Sequence, residues 1–279
     1  MNSYKFGFLL SVYKNDNPSY IDQCLSSIAN QTLPADETII VVEGEIKIEL
    51  KNIISNYSDK IKKLKVFFIE QQKGPLNYGL PSSLNYGLAN SDVDYISRID
   101  SDDINCSSRI EETSKFLKKN PEIKLLGSNV EEYDETMLIK QNQRSVPEKH
   151  IDILKFSKFR NPFNGPAVTF DRLTAIKLGG YPQVASNEDY CLWVSFLKYD
   201  FPTYNLQKNL VKMRGDIGII KRRSSLRYVK GEWQAMRYMF GIGYFSFLLY
   251  IFHIVSKTFI RLLLPTNLIS KLYSKFFRT

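Results

Sequence analysis

Histidine and cysteine are scarce: two and three among 279 residues. His150 and His253 stand alone, with no second ligand at metal-binding spacing, so a histidine-built zinc centre is excluded. Cys24, Cys106 and Cys191 form no Cys-x-x-Cys pair. Widely spaced and odd in number, they support neither a zinc ribbon nor a disulfide framework, and they fit a reducing, cytoplasmic setting. No GxxxxGK[ST] frame is present, so Lys73-Gly74-Pro75 is not a P-loop. The apolar run Phe6–Val12 lacks a basic lead and a small-residue cleavage site. It reads as a first strand rather than a secretory signal. Internal repeats and low-complexity tracts are absent.

Acidic residues almost vanish from the C-terminal part. Residues 221–279 carry eleven Lys or Arg against one acid, Glu232, whereas residues 1–220 carry 27 basic and 28 acidic residues. The formal charge of +9 therefore belongs to the tail. A basic protein is often a nucleic-acid binder, but this basic stretch is also the most apolar one. That combination points to an anionic membrane surface. Tyr238–Val255 contains no Lys, Arg, Asp or Glu over 18 residues, at the lower limit for crossing a bilayer. Basic residues flank both ends, so charge sets no orientation. Helices lying in the interface are favoured over a span, with a soluble tail packed on the rest of the chain as the alternative. Two regions are thus expected: 1–220, catalytic or binding, and 221–279, a basic apolar tail.

In the first region, Phe6–Val12, Glu37–Glu43, Lys65–Glu70 and Val93–Ile99 read as strands. Helical spacing covers Tyr20–Asn30, Glu49–Tyr57 and Leu80–Ala89. Thr38-Ile39-Ile40-Val41-Val42 is a continuous apolar run of the kind found in buried parallel strands. The alternation predicts an α/β fold with a mostly parallel sheet flanked by helices. Beyond it, Ile123–Glu131 reads as a strand, Asn161–Phe170 as loop then strand, Gly179–Pro182 as a turn and Asn187–Leu197 as a helix with Asn187 at its N-cap.

The most informative stretch is Asp100-Ser101-Asp102-Asp103, directly after the fourth strand. Ligands bind at the carboxyl edge of open α/β sheets. Clustered carboxylates repel one another unless a cation sits between them, and hard divalent cations are shared with substrate phosphates. The residues thus point to a metal–diphosphate site. A solvated turn, with Asp103 or Ser107 capping the helix around Ser108–Lys119, is the plainer alternative.

Five blocks carry a resemblance: Leu9–Tyr13 with Leu25–Thr32, Ile39–Gly44, Gly79–Leu88, Asp100–Asp103, and Gly179-Gly180-Tyr181 with Asn187–Trp193. Together, in this order, they resemble the inverting family 2 glycosyltransferases of GT-A (Rossmann-like) fold, over roughly residues 5–225. Glu43 stands where that family usually has Asp, and Gly165 where many members have His before Pro166.

The resemblance implies a metal-dependent transfer of a hexose from a UDP-sugar to a lipid-linked acceptor. Asp102 would hold Mn2+ or Mg2+, and Asp100 the ribose or a metal-bound water. Glu43 would meet the uracil or ribose, and Tyr13 would stack on the base or serve as a core-edge aromatic. Arg98 would reach a phosphate or pair with a neighbouring acid. Arg214 and Arg222 would belong to a mobile basic segment closing over the diphosphate. Asp189 would be the general base, with Glu188 positioning the acceptor or holding Asp189; the plainer reading of both acids is a favourable charge at a helix N-terminus.

The implied acceptor is a sugar on undecaprenyl diphosphate, at the cytoplasmic face of the inner membrane, during O-antigen or capsule repeat-unit assembly. Galactose in β-1,3 linkage is the sugar the resemblance suggests. Two rivals remain. A sugar-nucleotide nucleotidyltransferase would show a Gly-rich basic loop where Tyr13-Lys14-Asn15-Asp16 stands. A non-enzymatic membrane adaptor would leave the sheet-edge acids without a purpose.

Overall fold

The computed structural model describes residues 4–70, 79–215 and 226–263. The first half is a run of β1 (Phe6–Tyr13), α1 (Pro18–Ala29), β2 (Glu37–Glu43), α2 (Ile48–Ser55), β3 (Leu64–Ile69), α3 (Gly79–Ala89) and β4 (Tyr95–Arg98). These four strands pair in parallel in the order β3-β2-β1-β4. Their side chains alternate between two cores. Phe8, Leu10, Val12, Ile40 and Val42 face Ile21, Leu25 and Ile28 of α1. Leu9, Ile39, Val41 and Ile96 share the opposite core with Leu84 and Leu88 of α3. Burial on both faces is why β2 is apolar without interruption.

The second half departs from the expected pattern. It comprises β5 (Ile104–Asn105), α4 (Arg109–Lys119), β6 (Leu125–Tyr133), β7 (Lys140–Arg144), α5 (His150–Phe156), a 3-10 turn (Gly165–Ala167), β8 (Thr169–Asp171), α6 (Arg172–Lys177), α7 (Glu188–Lys198) and β9 (Thr203–Arg214). The sheet continues from β4 through β8, β6 and β9 to β5, with β7 paired to β6. Four of the eight strand pairings are antiparallel. The sheet is therefore mixed, and the expectation of a mostly parallel one holds only for the first half. The physical reason is connection type: β6 and β7 are joined by a short turn, which forces antiparallel pairing, whereas parallel neighbours need a crossover.

β9 is the longest strand, at 12 residues, and pairs in parallel with β6. Its sequence, TYNLQKNLVKMR, shows no apolar run. Its pattern is obscured by register shifts opposite Ser128 to Val130.

The tail begins with α8 (Leu226–Gly241) and α9 (Phe247–Leu263). Ala235, Met236, Met239, Tyr244 and Phe245 enter the same core as Trp193 and Phe196 of α7, so this part of the tail is docked on the α/β region that precedes it. The expected boundary at 220/221 lies outside the described residues. Among the described residues, no helix is long and apolar enough to cross a membrane.

Candidate active site

The carboxyl edges of β1, β2 and β4 carry Tyr13, Glu43 and the acid loop. Tyr13 and Glu43 are register partners at the last rung of the β1–β2 pair, so they sit side by side, as a base-binding pair would. Glu43 lies against the first residue of α3: a Cβ on Gly79 would stand 2.0 Å from Glu43 Oε2. Only glycine leaves room for the carboxylate there.

The acid loop is held from two sides. Asp103 is buried, and its Oδ1 accepts the backbone N–H of Arg214 at 2.8 Å. Burial, then the charges of Asp102 and Asp100, push its carboxyl well above the usual range. It caps no helix: α4 has Ser108 at its N-cap position, without a side-chain cap bond. Asp102 is exposed. Asp100 accepts from the Arg98 guanidinium at 2.6 Å.

Arg214 departs from the expectation of a mobile phosphate-closing residue. It ends β9, is buried, and its fork is committed. Nε donates to the Asp102 carbonyl at 3.0 Å, Nη2 to Gln23 Oε1 at 2.7 Å and Nη1 to the Glu135 carbonyl. The guanidinium stacks 3.8 Å over the Tyr20 ring. It therefore fixes the acid loop to α1 and the β6–β7 turn. Its neighbour in the expectation, Arg222, lies outside the described residues.

At the start of α7, Asn187 takes the N-cap position with φ 61° and makes no side-chain cap bond. It serves by tolerating the left-handed backbone, which differs from the capping role expected of it. Asp189 Oδ1 accepts the Tyr190 N–H at 2.6 Å and Oδ2 accepts from Asn161 Nδ2 at 3.2 Å. Glu188 is pushed up to about 7, first by burial and then by the charge of Asp189, with Arg98 opposing.

Arg98 brings these two halves together. A Cβ on Gly165 would stand 2.6 Å from Asp189 Oδ2 and 2.7 Å from Arg98 Nη1. Gly165 thus stands between Asp189 and one arm of Arg98, whose other arm binds Asp100, although 100 and 189 are far apart in sequence. Arg109 sets this meeting: its buried guanidinium donates to the carbonyls of Pro166 and Arg98 at 2.9 and 2.8 Å. Burial lowers the Arg109 guanidinium to about 9.

Asp16 was missed in the sequence. Its carboxylate accepts from the Tyr13 N–H and from Ser101 Oγ, both at 3.1 Å, so it ties the β1 loop to the acid loop. Burial foremost, with smaller contributions from Asp102 and Asp100, raises it to about 6. Its position before Asn17-Pro18 reads as ordinary turn chemistry, which hid it.

Asp100 and the exposed Asp102 place hard oxygen donors at the sheet edge, a donor set that suits a divalent cation. Among the described residues no three His, Cys, Asp or Glu side chains form a ready-made cage. A cation that completes its shell with substrate phosphates needs only one or two.

Strand order and a sheet-edge acid cluster define a nucleotide-sugar transferase fold of the GT-A type. Solved structures support that fold: Staphylococcus aureus TarS 1-349 in complex with UDP-GlcNAc superposes with a TM-score of 0.65 at 16% identity, covering 98% of this chain and 73% of that one. The mannosyltransferase PcManGT from Pyrobaculum calidifontis, in complex with GDP-Man and Mn2+, gives 0.63 at 13% identity, covering 98% and 76%. The family model for glycosyl transferase family 2 matches residues 9–178, and the chain belongs to that family: it is a glycosyltransferase.

Among curated relatives, an Escherichia coli UDP-Gal:alpha-D-GlcNAc-diphosphoundecaprenol beta-1,3-galactosyltransferase is 35% identical over 98% of this chain and 97% of its own. The amylovoran biosynthesis glycosyltransferase AmsE of Erwinia amylovora is 30% identical over 97% and 98%. The family match ends before Glu188 and Asp189, whereas both relatives extend across them.

Proposed function

We propose that this glycosyltransferase moves galactose, in β-1,3 linkage and with inversion, from UDP-galactose to a sugar on undecaprenyl diphosphate during O-antigen or capsule repeat-unit assembly. It would work at the cytoplasmic face of the inner membrane as a peripheral protein. The observation that carries this reading is the meeting of the two acid segments at Gly165: Arg98, ion-paired with Asp100, and Asp189 both lie against that one glycine. Similarity to the E. coli galactosyltransferase along nearly the whole chain supports the choice of donor and acceptor.

In this reading Tyr13 and Glu43 receive the uridine, and Asp100 and Asp102 face the diphosphate. Mn2+ or Mg2+ held by Asp102, with Asp100 beside it, would offset the charge that builds on the departing UDP. Asp189 removes the proton from the acceptor hydroxyl as that oxygen attacks C1 from the face opposite UDP. One displacement inverts the centre and needs no covalent intermediate. Asn161 orients the Asp189 carboxylate through its hydrogen bond, and Glu188, pushed up to about 7, holds a proton below that pH and can then donate a hydrogen bond beside it. The nucleotidyltransferase and adaptor readings fall with family membership.

The test is a panel of UDP-sugars offered with a GlcNAc-diphospholipid acceptor, with and without Mn2+. The expected result is metal-dependent transfer of galactose in β-1,3 linkage, lost in D189N while UDP binding remains. Transfer of a different sugar overturns the donor assignment, and wild-type turnover in D189N overturns the base.

A further inference from the structure

Among the described residues, the α8–α9 hairpin has one face in the core and one exposed apolar face. Along α9, Phe247, Leu248, Ile251, Phe252, Val255 and Phe259 are all exposed, Leu248 by 80%. At 100° per residue these six fall on a single stripe, and no charged residue interrupts it. The opposite face is committed to protein. His253 is buried, its Nε2 hydrogen-bonds the Lys158 carbonyl at 2.7 Å, and its ring packs on Phe245. Tyr250 stacks on Phe240 of α8. Soluble monomers seldom leave so large a contiguous apolar surface in water.

We infer that this stripe is the surface by which the enzyme lies on an anionic lipid bilayer, inserted to side-chain depth in one leaflet. Three observations choose this occupant. First, one side of α9 is bonded to the rest of the protein through His253 and Tyr250, which a helix surrounded by lipid would not allow, and among the described residues no helix is long and apolar enough to cross a membrane. Second, the charge is of one sign. Lys230 and Arg237 are exposed on α8, while the one acid of the tail, Glu232, is buried and paired with Lys257 at 3.3 Å. Exposed basic side chains on the helix next to an apolar stripe suit acidic headgroups, and they oppose a second copy bearing the same charge. Third, the hairpin is coupled to the active-site helix. Gln234 Oε1 accepts the Ala185 N–H at 3.0 Å, and Gly231 admits Ser186 so closely that a Cβ there would stand 2.5 Å from its Oγ. Ala185 and Ser186 immediately precede Asn187 and Asp189. Docking therefore holds the start of α7 in a fixed relation to the leaflet, where a lipid-linked acceptor would present its sugar.

The proposal rests on the functional reading only for why a bilayer would be near. Its test uses no sugar donor, so the two can fail separately. The full chain is floated with vesicles of phosphatidylcholine alone or mixed with phosphatidylglycerol, in low and high salt. Wild type is expected to float with the anionic vesicles and to leave them in high salt. L248E/F252E is expected to bind at least about tenfold more weakly, with an unchanged melting temperature because both side chains point to solvent. K230E/R237E should lose the preference for phosphatidylglycerol. Equal flotation of wild type and L248E/F252E, or no flotation of wild type, overturns the proposal. A wild-type dimer that L248E/F252E converts to monomer, without vesicle binding, assigns the stripe to a second copy instead.

Discussion

Gly165 offers the sharpest test of how the two halves of the cleft meet. In G165A the new methyl group would lie 2.6 Å from Asp189 Oδ2 and 2.7 Å from Arg98 Nη1. Ordinary contact begins at 3.4 Å, so Asp189 must retreat by roughly 0.8 Å and Arg98 by roughly 0.7 Å. Both are side-chain ends that can move, and Gly165 has no positive φ. The fold should therefore survive the change, at a cost of about 1–3 kcal/mol in stability. Catalysis should not tolerate it. Misplacing a reacting group by about 1 Å costs on the order of 100-fold, so kcat should fall about 10- to 100-fold, or roughly 1.4–2.7 kcal/mol. The assay is steady-state transfer alongside calorimetric binding of UDP. Lower kcat with unchanged UDP affinity is expected. A kcat within about twofold of wild type, in a crystal structure that shows Asp189 displaced, would refute the role of Asp189's position, set beside Gly165, in catalysis.

Other perturbations follow from the same geometry. In D102N, transfer should lose its dependence on Mn2+ together with most of its rate, as measured by titrating the metal; retained metal-dependent turnover would sink the ligand assignment. R214A removes a committed fork from the acid loop and should lower stability by about 2–3 kcal/mol in urea unfolding, and R214K should not restore it because an ammonium cannot span the Asp102, Glu135 and Gln23 acceptors. Glu188 has a folded-state pKa raised to about 7 from 4.5, so the folded protein holds a proton there that the unfolded chain has released, and stability falls as pH rises between these values. E188Q should therefore stabilise the protein by about 2–3 kcal/mol at pH 8 and change it little at pH 5. Equal gains at both pH values would mean that Glu188 is not a buried, proton-holding group.

Sequence reasoning reached the first half of the fold because local rules act there without competition. The apolar run of β2 has one explanation, burial on two faces, and the helices between the strands carry clean periodicity. The second half was harder to read. β9 mixes polar and apolar residues because its register shifts against β6, and β7 is a polar edge strand whose place depends on its hairpin. The acids at 100, 102, 188 and 189 were visible by type and spacing. Asp16 was not, because an Asp before Asn-Pro has an ordinary turn to explain it. Arg214 was visible as a cation but not as a clamp, since its partners come from α1, the acid loop and the turn after β6.

What the chain's own order of residues determined is the kind of protein: a strand-and-helix alternation, acids at the strand ends, and a tail both basic and apolar. These follow from local periodicity and composition, which need no knowledge of what lies nearby in space. Only the tertiary structure decided that half the described pairings are antiparallel, that Arg98 and Asp189 meet at Gly165 because it has no side chain, and that the α8–α9 hairpin presents an apolar face while its other face joins the core. Each of these depends on distances between residues remote along the chain, and such distances are settled by packing rather than by local propensity.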